Sequence, residues 1–220
     1  MQLWKKWIII EVERIGRKTM KRQRLIQIFS NIPTLETERL ILRKMKVSDT
    51  DDMFDYAKRQ DVTAYLLWSP HKTREYTRDY LRYLQNRYAL GEFYDWAVVD
   101  RESGRMIGTC GFTRIDTEHR WGEIGYVLNP DFHGRGLGSE AAERVMRFGF
   151  EELELHRIEA KFMRGNDGSL RVMEKLGMTF EGYRRDAMWV KGSYRTIGVS
   201  AILAEEYSPR AKNEKSSKIC

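Results

Sequence analysis

Cysteine is nearly missing from this chain of 220 residues. Cys110 and Cys220 are the whole complement, only four histidines accompany them, and none of these residues stands in a CxxC or clustered metal-ligand spacing. That excludes a disulfide scaffold and gives no signal for a metal site. Four prolines and 17 glycines exclude collagen-like and proline-rich classes. No apolar run approaches the ~18–20 residues that a membrane span requires. The stretch Trp7-Ile8-Ile9-Ile10 is broken at once by Glu11 and Glu13 and is too short for the core of a secretory signal. These absences predict a cytoplasmic protein with neither membrane partner nor metal.

What is present is ordinary globular material, 41% hydrophobic, 12% aromatic and 32% charged, enough to bury a core. The formal charge of +7 sits at the ends: residues 1–32 carry +6, residues 209–220 carry +3, and the stretch 33–208 carries −2. A nucleic-acid-binding domain spreads its charge over a folded face, so nucleic acid is a partner only through the basic arm. The organisation expected is a basic extension at 1–32, one domain at 33–208 and a basic tail at 209–220. The arm reads either as an amphipathic basic segment or as upstream sequence before a true start at Met20.

Within the domain, Arg39–Arg43 reads as a first strand, and Asp49 as a cap for a helix over Met53–Lys58. His71–Leu90 has aromatics and leucines at helical spacing. Phe93–Val99, Met106–Ile115 and Trp121–Leu128 read as an antiparallel meander. Gly134–Leu153 is a glycine loop entering a helix, Arg157–Met163 a strand, and Ser169–Leu176 a helix ended by Gly177. Thr179–Val190 and Tyr194–Ala204 complete a mixed α/β domain. Cys110, in an apolar strand without a His–Asp partner pattern, reads as a small buried hydrophobe.

The sharpest local signal is Asn129-Pro130-Asp131-Phe132-His133-Gly134-Arg135-Gly136-Leu137-Gly138-Ser139. Alternating glycines after a strand and before a helix turn successive N–H groups toward one concavity, and the helix N-terminus adds partial positive charge. That is a cradle for a pyrophosphate. It is not a P-loop, since no Gly-Lys-Ser/Thr follows, nor a dinucleotide fingerprint, since the preceding strand ends a meander.

Here the chain resembles the GNAT superfamily of acyl-CoA N-acyltransferases. His133-Gly134-Arg135-Gly136-Leu137-Gly138 matches that superfamily's Gln/Arg-x-x-Gly-x-Gly/Ala signature except at its first place. The RimJ/RimL-like branch, of ribosomal-protein N-terminal acetyltransferase type, is resembled by Leu35–Arg43, by Gly122-Glu123-Ile124-Gly125-Tyr126-Val127-Leu128, and by Asn166-Asp167-Gly168-Ser169 with Glu174-Lys175-Leu176-Gly177-Met178. Thr196 and Ser200 stand where that branch commonly has an Asp and a Tyr, on the acceptor side.

The resemblance implies a fold in which the fourth and fifth strands splay to hold coenzyme A, and an acetyl-CoA-dependent N-acetyltransferase without a metal. Tyr126, Val127 and Leu128 would lie along pantetheine. His133, Gly134, Arg135, Gly136, Leu137, Gly138 and Ser139 would hold the pyrophosphate, with Asn166 and Ser169 nearby. Ser169 would protonate the departing thiolate, and Glu123 is the base expected for the amine. The acceptor implied is the α-amine of a ribosomal protein. A small-molecule amine (an antibiotic or polyamine) and a catalytically silent coenzyme A-binding module are the alternatives, with the chain acting as monomer or homodimer.

Overall fold

A computed structural model describes residues 22–208; the basic arm before residue 22 and the tail from 209 lie outside the described residues. Eight strands form one mixed sheet in the order β1-β2-β3-β4-β5-β6-β8-β7. The strands are β1 (Leu35–Glu36), β2 (Leu40–Arg43), β3 (Tyr94–Asp100), β4 (Met106–Asp116), β5 (Trp121–Leu128), β6 (Arg157–Met163), β7 (Thr179–Val190) and β8 (Ser193–Leu203). The helices are α1 (22–30), α2 (Thr50–Ala57), α3 (Gln60–Thr63), α4 (Arg74–Ala89), α5 (Leu137–Glu151) and α6 (Asp167–Lys175). The expected antiparallel meander is present as β3–β4–β5. Only β5 and β6 run parallel, joined through α5.

Alternation along the strands sorts side chains onto two faces. Trp96, Phe112 and Ile124 go to one face, where α5 packs so closely that a Cβ on Gly149 would stand 2.8 Å from the Phe112 ring. The opposite face carries Asp95, Gly111 and Gly125, and there Asp95 interacts with Tyr56 of α2 and with Tyr80 and Tyr88 of α4. Two layers of helix therefore enclose the sheet.

The boundary expected at residue 32 moves. Phe29 on α1 is completely buried and meets the rings of Tyr94, Trp96 and Phe148 edge-on, with Leu25 and Ile32 buried beside it. Trp96 Nε1 donates to Pro33 O at 2.7 Å. Residues 22–32 are thus part of the core, although their basic side chains give the segment the composition of an appendage. A chain of residues 20–208 is expected to fold and to bind acetyl-CoA by calorimetry. One starting at residue 33 loses the Phe29 ring alone at a cost of about 3–5 kcal/mol, which should appear as a lowered denaturation midpoint. Equal midpoints for the two chains would show that α1 contributes nothing.

Asp49 stands at the N-cap position of α2, but its carboxylate makes no cap bond there. It accepts from Lys46 N–H and binds Arg43 in a two-pronged contact at 2.7 and 2.8 Å.

Candidate active site

The sheet opens where the chemistry is expected. β5 and β6 pair from Trp121/Arg157 to Ile124/Ala160 and no further, so Gly125–Leu128 and Lys161–Met163 diverge. Asn129 N–H bonds to Ile107 O on β4. By alternation, Val127 also turns its backbone groups to β4, leaving those of Tyr126 and Leu128 facing the gap. One is already engaged: His133 Nε2–H donates to Leu128 O at 3.0 Å. His133 therefore braces the end of β5.

Beyond β5 the chain makes a short turn at Pro130–Phe132, capped by Asn129, whose side chain accepts from Asp131 N–H. Gly134 and Gly136 follow with φ of +76° and +79°, a left-handed backbone that other residues adopt only under strain. The first helical bond of α5 is Glu140 N–H to Gly136 O. The N–H groups of Leu137, Gly138 and Ser139 precede it and have no intrahelical partner. The Leu137 side chain is buried beneath them, as is that of Ser139, so these residues offer backbone to a ligand. Three such donors at a helix N-terminus suit a pyrophosphate.

Glu140 anchors this cradle, a role the sequence reading did not assign. Its carboxylate accepts from the Thr37 hydroxyl at 2.6 Å, from Arg39 N–H at 3.0 Å and from Arg39 Nε at 2.7 Å, and Arg39 also donates to Arg135 O. Burial raises the Glu140 carboxyl's pKa, but these bonds outweigh it and hold the group below its ordinary range. The Arg135 guanidinium is exposed and lies over the Phe132 ring at 5.3 Å. A Cβ on Gly138 would meet only the Leu128 side chain, at 4.0 Å. Gly138→Val should therefore leave the fold intact while filling the space a pyrophosphate needs, weakening acetyl-CoA at least about tenfold in calorimetry. Unchanged affinity in the folded variant would remove this loop from the binding site.

The two faces of the gap carry different groups. On the α5–α6 face, the Tyr126 hydroxyl lies 3.0 Å from both Ser169 Oγ and Ser169 O. Burial pushes the Tyr126 phenol up despite the Ser169 bond, so it stays neutral. Asn166 caps α6, its side chain accepting from Ser169 N–H at 3.2 Å. On the other face, Glu123 accepts from the Thr113 hydroxyl at 2.9 Å and pairs with Lys161. A bulge at Thr113, where the β4–β5 register shifts between Phe112 and Arg114, brings that hydroxyl onto Glu123. Lys161 also reaches Glu159 at 3.2 Å, and Arg157 links Glu159 to Glu181. Desolvation lowers the Lys161 pKa, but the bonds to Glu123 and Glu159 overcome it and keep the ammonium charged.

Thr113, Glu123, Tyr126, Lys161, Asn166 and Ser169 line one cleft of about 1060 Å³. Its far wall is aromatic: Trp68, Tyr76 and Tyr80 surround the His71 ring at centroid distances of 5.3, 4.9 and 5.9 Å. His71 bonds Thr77 Oγ1 through Nδ1, and burial lowers its pKa. Neither this wall nor Lys161 was singled out from sequence. Thr196 and Ser200 do not join the cleft as acids would: Thr196 Oγ1 accepts from Asp186 N–H, and Ser200 is buried. Cys110 is buried too, which raises its thiol pKa and leaves it unreactive.

Comparison with known proteins agrees with this geometry. Residues 39–179 match the family described as Acetyltransferase (GNAT) domain. The chain is 35% identical over 175 residues to an uncharacterized N-acetyltransferase, p20, of Bacillus licheniformis, covering 80% of this chain and 98% of that one. It also resembles the structure of a GNAT-family acetyltransferase from Bacillus anthracis, with a TM-score of 0.71 and 32% identity over 79% of this chain and all of that one. Relatives whose names state an acceptor differ. A putative ribosomal N-acetyltransferase of Bacillus subtilis, YdaF, is 32% identical over 47% of this chain and 57% of its own. The spermidine N(1)-acetyltransferase of Escherichia coli is 25% identical over 54% and 68%.

Proposed function

The chain belongs to the GNAT acetyltransferase family, an acyltransferase by that membership, and on that premise we propose how its residues move an acetyl group from acetyl-CoA to a primary amine. The observation that carries the reading is the opening of the sheet after Ile124 and Ala160, with the glycine cradle at its end and an acid and a base candidate on its opposite faces.

Pantetheine lies in the gap along the backbone of Tyr126–Leu128, and the N–H groups of Leu137, Gly138 and Ser139 take the pyrophosphate. The acceptor enters from the aromatic side. Its nitrogen attacks the thioester carbon, forming the N–C bond as the C–S bond breaks. Glu123, directly or through a water, takes the proton that nitrogen must lose. The proton that ends on sulfur passes through the Ser169 hydroxyl, which takes the Tyr126 phenol proton as it gives up its own, and Tyr126 is then reprotonated from water.

Two acceptor classes fit this chemistry. The α-amine of a ribosomal protein is the one implied by the RimJ/RimL resemblance. A small amine is favoured by the aromatic wall of the cleft, which suits a compact cation better than an extended peptide. Free-thiol release from acetyl-CoA, measured against peptides with free N-termini and small amines, tests both. Acetyl-CoA bound without any amine acetylated would leave the silent coenzyme A-binding module as the reading.

A further inference from the structure

One carboxylate in the cleft has no part in the chemistry above. Asp95 lies on β3, on the acceptor face, half-buried in the cleft wall. It accepts from Trp96 N–H at 3.0 Å and from the Thr109 hydroxyl, and among the described residues no cation pairs with it. A carboxylate drawn largely out of water without a counter-charge is costly. Next to it the Tyr56 side chain is 1% exposed and also lines the cleft, and its hydroxyl has no hydrogen-bond partner among the described residues. An unmet hydroxyl buried just behind the cleft wall and an anion without a counter-charge on that wall thus lie side by side, with the Trp68, Tyr76 and Tyr80 rings across the cleft. Each of these groups suits an ammonium, which brings positive charge and N–H donors together.

Position sets the length of the ligand. Asp95 pairs with Gly111, and Gly111 with Gly125, at the mouth of the gap. Gly111 has no side chain to obstruct Asp95; a Cβ there would stand 2.7 Å from Asp95 Oδ1. Two strand spacings separate Asp95 from Gly125, roughly 10 Å. The Asp95 side chain and one hydrogen bond take up about half of that, leaving the span of a short alkyl diamine.

We propose that Asp95 and the Tyr56 hydroxyl form a subsite for a second cationic centre of the acceptor, so that the amine acetylated is a small dication whose other nitrogen reaches the gap. The proposal rests on the amine-acetyltransferase reading and narrows its acceptor.

The test compares diaminobutane, butylamine and a peptide with a free N-terminus on the full chain and on Asp95→Asn and Tyr56→Phe. The full chain is expected to prefer diaminobutane to butylamine by about 10²-fold in kcat/KM. Asp95→Asn should bring that ratio close to one, chiefly through KM, and Tyr56→Phe should lower it less. Acetyl-CoA affinity, measured by calorimetry, should not change. A ratio that Asp95→Asn does not move overturns the proposal, as does a full chain that prefers the peptide. Calorimetry of diaminobutane in the presence of coenzyme A separates the two readings. Binding that Asp95→Asn abolishes, with no amine acetylated, keeps the subsite and overturns the activity. Acetylation with an unmoved ratio does the reverse.

Discussion

Glu123→Gln is expected to lower kcat/KM by roughly 10²–10⁴ while leaving the affinity for acetyl-CoA nearly unchanged. An amine attacks only when neutral, and an alkyl ammonium with a pKa of ~10.4 is almost entirely protonated at pH 7. Even an α-amine, at ~8, must shed a proton as it becomes an amide. Glu123 stands one rung before the last β5–β6 pair, on the face the acceptor enters. A glutamine there keeps the shape and can still accept from Thr113, but cannot take a proton. Raising the pH supplies neutral amine from solution, so the rate should partly recover in alkaline buffer. A purely structural Glu123 makes a different prediction. It would tie β5 to β6 through Lys161, and its loss would lower the melting temperature without changing the pH profile. A glutamine variant as fast as the parent at pH 7 would take Glu123 out of the mechanism.

The parts of this site that were legible in the sequence are those whose chemistry is local. A glycine-rich turn is backbone geometry over a few consecutive residues: Gly134 and Gly136 have left-handed φ, and Gly138 lies within the first turn of α5. The meander and α5 follow from side-chain periodicity in single segments. What was not legible depends on distant segments meeting. Glu140 gains its role from Thr37 and Arg39, about a hundred residues earlier. Lys161 becomes the partner of Glu123 only because β6 runs parallel to β5. Arg22 and Arg24 disguised a helix whose other side carries Leu25 and Phe29 into the core. The one local clue passed over was Asp95, a charge in the middle of Phe93-Tyr94-Asp95-Trp96-Ala97-Val98. A strand of that composition is read as core, and an acid inside it signals a cavity.

That acid should also be visible in the stability of the protein. Burial, opposed by the bonds from Thr109 and Trp96 N–H, pushes the Asp95 carboxyl up to about 7, against ~3.9 in an unfolded chain. The sign follows from proton binding. Below pH ~4 both states are protonated and Asp95 costs nothing. Between there and pH 7 the unfolded chain ionises first, so the native state holds the extra proton and stability falls as pH rises. Above 7 the penalty is complete, on the order of 4 kcal/mol if the whole shift is realised. Asp95→Asn removes it. The variant is expected to melt well above the parent at pH 8, by at least about 5 °C, and close to it at pH 4.5. Other titrating groups act alike in both proteins, so the difference between the two curves isolates Asp95. Parallel curves would mean that Asp95 is not desolvated as its surroundings require. A large gap would mean that the fold tolerates an unpaired acid that asparagine relieves, which is the cost expected of a group kept for a ligand. A cation bound beside Asp95 should then return part of that stability to the parent, and diaminobutane at pH 8 should narrow the gap in melting temperature where butylamine does not.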